Sequence, residues 1–155
     1  MKISYLENYA ALSKKAASLI VEEVQHNPDL LFCAATGGSP TGMYAELAKE
    51  KDIFGQMRVV KMDEWGIIPS EHPDSCETYL KKHLLGPLAI PETRYFGFDT
   101  NMADTDSECL RMQGVIAQEG PFDICILFSF FSFCCIKITS HFLPLKCANF
   151  NHMSQ

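Results

Sequence analysis

Two short stretches of this chain combine residue types that can do chemistry. The first runs Thr36-Gly37-Gly38-Ser39-Pro40-Thr41-Gly42. Its paired glycines let the backbone approach a ligand closely. The Ser-Pro step after them suits a helix start, with Ser39 as the cap and Pro40 at the first helical position. Amide N–H groups exposed at such a start attract an anion, and a phosphate fits well. The stretch is neither a G-x-G-x-x-G fingerprint nor a Walker loop, because no Gly-Lys-Ser/Thr follows. An ordinary tight strand-to-helix turn is the competing reading. The second stretch is Met62-Asp63-Glu64-Trp65-Gly66. Paired carboxylates beside the only Trp suit a general base. Partial burial and the charge of Glu64 would raise the proton affinity of Asp63 towards a useful range. Against this, Asp63 could simply cap a turn, with Glu64 solvated and Trp65 covering the sheet edge.

Other reactive residues have plainer readings. His72, in the polar run PSEHPDS, reads as a loop histidine, and His83 as a packing or surface residue on a helix face. Glu22-Glu23 and Lys81-Lys82 read as solvated helix faces. Cys134, Cys135, His141 and Cys147 make a poor zinc set, since adjacent cysteines rarely suit a tetrahedral site and no Cys-x-x-Cys occurs. No metal site is assigned.

The elements that must position the two stretches follow from the hydrophobic pattern. Tyr9, Leu12, Ala16, Leu19, Ile20 and Val24 recur at helical spacing behind a cap at Asn8, and Asn27-Pro28 stops that helix. Leu30 to Ala35 is an unbroken apolar run, as expected of a strand covered on both faces. A second helix carries Met43, Tyr44, Leu47 and Ala48 on one face. Arg58 to Met62 reads as a strand. A third helix carries Cys76, Tyr79, Leu80, His83 and Leu84, with Asp74 and Glu77 resembling a capping box and Gly86-Pro87 closing it. Tyr95 to Phe98 is a short strand, Asp104 to Glu119 a fourth helix, and Phe122 to Leu127 a further strand. Such alternation implies parallel βαβ units, hence an α/β fold with an open, mostly parallel, Rossmann-like sheet and flanking helices. Ligands bind outside the carboxyl ends of such strands. Three loops therefore matter: those after Ala35, Met62 and Leu127.

Composition bounds the reading. The 155 residues are 47% apolar and 21% charged, which suits one soluble globular domain. A net charge of −6 argues against nucleic-acid binding. No secretory leader is expected at MKISYLENY, and seven Cys without a repeated short spacing read as reduced thiols in a cytoplasm. The composition then breaks: all 19 acidic residues lie at or before Asp123. The uncharged run Ile124 to Ile136 spans 13 residues, too short for a membrane helix, and shows neither helical nor clean strand periodicity.

Two motifs together, TGGSPTGMYAEL (Thr36 to Leu47) and VVKMDEWGIIPSEHPDSCETYLKKHL (Val59 to Leu84), resemble the glucosamine-6-phosphate deaminase/isomerase family. Order, spacing and strand context all match. Asp-Glu-Trp and Cys-Glu-Thr look most like the branch described as galactosamine-6-phosphate isomerases. The related 6-phosphogluconolactonases usually show Asp-Glu-Arg at the same place and rank second. The resemblance covers residues 1–127 as the N-terminal part of such a domain, so the sheet is expected to be incomplete at the C-terminus.

The resemblance implies that Gly37, Gly38 and Ser39 hold a sugar 6-phosphate, assisted by Thr41, and that Asp63 is the base that moves a proton between C1 and C2 of the opened sugar. Glu64, counted with the substrate-binding residues, orients the loop. It further implies no cofactor, a small sugar phosphate as partner, no nucleic acid or membrane, and a homo-oligomer. The family continues after Leu127 with a glycine-rich turn and a Gly-His segment that supplies the ring-opening histidine. Here Phe128-Ser129-Phe130-Phe131 follows instead. Residues 128–155 therefore read as a tail foreign to the family, from a frameshift, a retained intron or a gene-model error. Impaired turnover, or a non-catalytic fragment that only binds sugar phosphate, is the corresponding expectation.

Overall fold

The computed structural model describes residues 4–66, 68–100, 104–129 and 132–137. Helix α1 (Tyr9–His26) begins where the Asn8 side chain accepts the Ala11 amide at 2.9 Å, and it ends at Asn27. The cap satisfies one of the donors that a first helical turn leaves free. Strand β1 (Leu31–Ala34) is buried at every position. Helix α2 (Gly38–Leu47) leads through a 3₁₀ segment, Ala48–Phe54, to β2 (Arg58–Lys61). Helix α3 (Cys76–Leu80) continues as a π turn over Lys81–Leu85. Its cap is Ser75 rather than Asp74: the Ser75 hydroxyl accepts the Thr78 amide at 3.0 Å. Glu77 does not reach back to complete a capping box, because it turns into the interior, as described below. A short β3 (Tyr95–Phe96) precedes α4 (Thr105–Glu119), which is capped by Asp104 and closed by Gly120 at φ 104°.

The sheet order is β3-β2-β1-β4-β5, with β4 spanning Ile124–Ser129 and β5 spanning Ser132–Lys137. The first four strands run parallel, and β5 pairs antiparallel with β4. The hairpin lies in a run that carries no strand period. Its ladder is made by backbone groups, which pair whatever the side-chain alternation.

Side chains alternate across β1, as the pleat requires. Phe32 and Ala34 enter the larger core with Ile20 and Val24 of α1, Met43, Tyr44 and Leu47 of α2, and Leu80 of α3. Leu31 and Cys33 join Val60, Phe122, Cys125 and Met112 of α4 in a second cluster. Three helices therefore cover one face and α4 the other. Emptying a site such as Phe32, fully buried, costs roughly 3–5 kcal/mol on truncation to Ala. Among the described residues Cys33, Cys76 and Cys125 carry free thiols. No described helix is long and apolar enough to cross a membrane. Of the zinc set considered above, His141 and Cys147 and the side chains of Cys134 and Cys135 lie outside the described residues.

Candidate functional site

Parallel pairing places the two loops side by side. Ala34 stands opposite Lys61 in the β1–β2 ladder, and the Met62 amide donates to the Ala34 carbonyl at 3.0 Å. Thr36 and Asp63 each follow the last paired residue by two positions. The glycine turn and the Asp-Glu-Trp loop thus leave one carboxyl edge of adjacent strands, the place where open α/β sheets bind ligands.

Gly37 sits at φ 101° and ψ 179°, a conformation open essentially to glycine alone, and it is the residue before the first turn of α2. Ser39 is therefore inside the helix rather than its cap, and no side chain caps this end. Pro40 falls two residues later than the sequence pattern suggests, because the Gly37 turn starts the helix early. The amides of Gly38 and Ser39 belong to the unpaired donors of a first turn. Gly37, Gly38 and Ser39 are exposed, and nothing lies within 4 Å of where a side chain on Gly37 or Gly38 would begin.

The turn is held from behind. The Tyr79 hydroxyl of α3 donates to the Gly37 carbonyl at 2.6 Å and lies 2.8 Å from the Thr41 hydroxyl, which itself reaches Gly37 O at 3.1 Å. Thr41 is thereby tied into the turn. On the other side the Tyr9 hydroxyl accepts the Gly42 amide at 2.8 Å and donates toward the Gly38 and Ser39 carbonyls, each at 3.0 Å. A methyl on Gly42 would meet Ser13 Oγ at 2.5 Å, so glycine permits this close approach of α1 and α2.

The adjacent carboxylates of the second loop differ sharply. Glu64 is sequestered: its side chain is 2% exposed. Oε1 accepts the amides of Trp65 and Cys76, both at 2.9 Å, and Oε2 accepts the Glu77 amide and the Lys61 ammonium, both at 2.8 Å. Burial pushes its carboxyl up, but Lys61 and the amides more than offset this and hold it below the ordinary value. All its acceptor positions are filled by protein, so Glu64 supports the loop and the start of α3. Asp63, next to it, accepts no side-chain hydrogen bond among the described residues and presents itself to solvent. Protein on one flank still raises its carboxyl above the ordinary value, with the Glu64 charge adding to this and Lys61 opposing it. Trp65 is 60% exposed and does not cover the sheet edge.

Beneath the loop lies a buried ionic cluster. Lys61 Nζ, wholly buried, bridges Glu64 and Glu77 Oε2 at 2.9 Å. Glu77 Oε2 also accepts the Tyr95 hydroxyl at 2.6 Å, and Lys81 reaches Oε1 at 3.2 Å. Lys81 is thus an ion-pair partner as well as a solvated lysine. Thr36 and Cys76 approach at 3.4 Å, so α3 touches both loops. The Cys76 thiol is pushed up to about 11, mainly by burial, which leaves it protonated at neutral pH. Tyr9, Lys61, Glu77 and Tyr79 were not singled out as site residues from the sequence. One signal was readable: a charge in RVVK, at the end of a strand buried on both faces, must find a partner. His83 packs on Tyr79, with ring centroids 4.6 Å apart, and His72 accepts the Asp74 amide within its loop. A cavity of about 590 Å³ between Glu77, Lys81, Leu85, Ile90, Glu92 and Tyr95 lies apart from this edge; neither Asp63 nor the glycine turn lines it.

Fold and loops define an α/β domain with a glycine turn and an exposed carboxylate at one sheet edge. Residues 7–128 match the family described as glucosamine-6-phosphate isomerases/6-phosphogluconolactonase, and the chain belongs to that family. A glucosamine-6-phosphate deaminase of Halothermothrix orenii is 35% identical over 131 residues, 82% of this chain and 54% of that protein. One of Bacillus pumilus is 33% identical over the same share of each. A solved monomeric glucosamine-6-phosphate deaminase superposes with a TM-score of 0.75 at 27% identity, covering 79% of this chain and 53% of the other. The chain spans about half the length of these relatives.

Proposed function

We propose that this chain carries the phosphate-holding and proton-transferring part of an amino-sugar phosphate isomerase/deaminase. The observation that supports it is the pairing, at one sheet edge, of an uncapped glycine turn with a carboxylate that accepts no hydrogen bond among the described residues. The exposed amides of Gly38 and Ser39 hold the 6-phosphate of the substrate, with Gly37 giving the turn its shape and Thr41 bracing it. Asp63 takes the proton from C2 of the opened amino sugar and returns it at C1. The enolamine formed in between becomes a C2 imine; water adds there, ammonia leaves, and a ketose 6-phosphate remains. A carboxyl raised above its ordinary value suits this exchange, since general bases work best when their proton affinity approaches the working pH. Glu64 positions the loop and takes no proton.

The Asp-Glu-Trp and Cys-Glu-Thr sequences favour a galactosamine-6-phosphate-like substrate within this class. Residues 128–155 we regard as foreign to the family domain. A Gly-His segment in another frame of the genomic sequence beyond codon 127 would support this, and a continuous transcript that yields protein would remove it. Turnover by the chain itself is then expected to be slow.

The test is D63N. Ammonia release from glucosamine and galactosamine 6-phosphates should disappear, while calorimetric binding of the same sugars changes by less than about twofold, because the phosphate contacts are untouched. Undiminished ammonia release by D63N would overturn the reading. Tight binding with no ammonia release even by the unsubstituted chain would support the second reading, a sugar-phosphate-binding fragment, which the half-length match favours.

A further inference from the structure

We propose that Lys61 is a positioning residue for Asp63: anchored by Glu77, its ammonium locks Glu64 onto the start of α3 and so fixes the loop from which Asp63 projects. This rests on the reading of Asp63 as the base. The bonding pattern closes a ring around that residue. Lys61 Nζ binds Glu64 Oε2 and the Trp65 amide binds Glu64 Oε1, so a residue on each side of the Asp63–Glu64 step is tied to one carboxylate. That carboxylate is in turn held by the Cys76 and Glu77 amides.

The opposite end of the bridge does not depend on Lys61 alone. Glu77 keeps the Tyr95 hydroxyl and the Lys81 ammonium as further partners. Stability alone does not call for this arrangement. Val59 points to the same face of β2 and packs in the larger core, and replacing a buried ion pair by apolar residues is often neutral or stabilising. A fully buried ammonium at this position instead delivers geometry and one positive charge close to Asp63. Among the described residues, the other titratable groups that sense Asp63 are Glu64 on its own loop, Cys76 on α3 and Cys33 on β1. Lys61 is the one cation among them, and it opposes the effects of burial and of Glu64.

The full-length chain is the material for the test. Carbonyl-detected NMR titration follows the Asp63 carboxyl, assigned by its loss in D63N, and ¹⁵N relaxation follows the backbone of residues 63–65. K61M should raise the proton affinity of Asp63 roughly fivefold, as expected for removal of one nearby charge at a protein surface, and should loosen residues 63–65. K61R should restore both. K61Q/E77Q, which replaces the ion pair by two neutral amides, keeps the measurement possible if K61M folds poorly and should move Asp63 the same way. An Asp63 titration unchanged in either folded variant overturns the proposal. Collapse of both variants also overturns it, because Lys61 would then act on stability alone. Neither readout needs turnover. A shifted Asp63 in a protein whose D63N variant still releases ammonia would sink the functional reading and leave the positioning role standing.

Discussion

Removing the Glu64 side chain is the perturbation whose size the structure defines best. Glu64→Ala withdraws acceptors from four donors at once: the Lys61 ammonium and the amides of Trp65, Cys76 and Glu77. Breaking a buried pair by deleting one partner costs about 3–5 kcal/mol, and each amide left without an acceptor adds about 1 kcal/mol unless water enters. Water can reach the loop side, since Trp65 and Asp63 are exposed, and Lys61 keeps Glu77. A net loss of about 4 kcal/mol is therefore expected, a large part of the roughly 5–15 kcal/mol that holds a domain together. For a domain of this size that lowers Tm by roughly 8–16 °C. Glu64→Gln keeps the shape and one carbonyl acceptor but turns an NH₂ group toward donors, and about half that loss is expected. Thermal unfolding followed by far-ultraviolet circular dichroism at neutral pH measures both. A Glu64→Ala protein melting within about 3 °C of the unsubstituted chain would mean that the four contacts are not maintained in solution, and the account of Glu64 as the loop's anchor would fail.

Two further outcomes separate shape from binding and fix the pH response. Gly37→Ala should lose about 1–3 kcal/mol because of the backbone angle it must hold, whereas Gly38→Ala, with open space around it, should melt like the parent yet bind inorganic phosphate several-fold more weakly in calorimetry. Equal melting of the two variants would contradict the turn geometry. Glu64 and Glu77 both sit below their ordinary value of 4.5 in the fold. They bind protons more weakly folded than unfolded, so their contribution is complete above that value and is lost as pH falls through the lower folded values. Asp63, shifted upward, acts in the opposite sense once ionised. Urea midpoints should hold steady near neutrality and fall in acid below about pH 4.5; midpoints that rise in acid would reverse the assignment of these carboxylates.

Much of the architecture was legible because it is written in local patterns. The helical period of α1, the apolar run of β1, and the cap at Asn8 needed only neighbours in sequence. The misplaced caps show where local reading stops. Ser39 and Asp74 are good cap residues by type, but Gly37 and Ser75 hold the backbone angles that start those helices. The ionic cluster was out of reach for another reason. Glu77 looked like half of a capping box, and only the fold, by bringing α3 over the end of β2, gives it Lys61 and Tyr95 as partners. Tyr9 and Tyr79 reach the glycine turn across 33 and 42 positions of chain, a distance no window of sequence spans. The Asp63–Glu64 pair was visible as chemistry, yet the division of labour between its members depends on which carboxylate the α3 amides claim.

Trp65 has a practical consequence. It is the only indole in the chain, it adjoins the Asp63–Glu64 step, and most of its surface meets water. The protein thus carries a single indole fluorophore beside the candidate site, free of interference from any other tryptophan. Its emission should be red-shifted and open to quenching by iodide or acrylamide, and any occupant that shields the rim will announce itself as a blue shift and slower quenching, without labelling or a coupled enzyme.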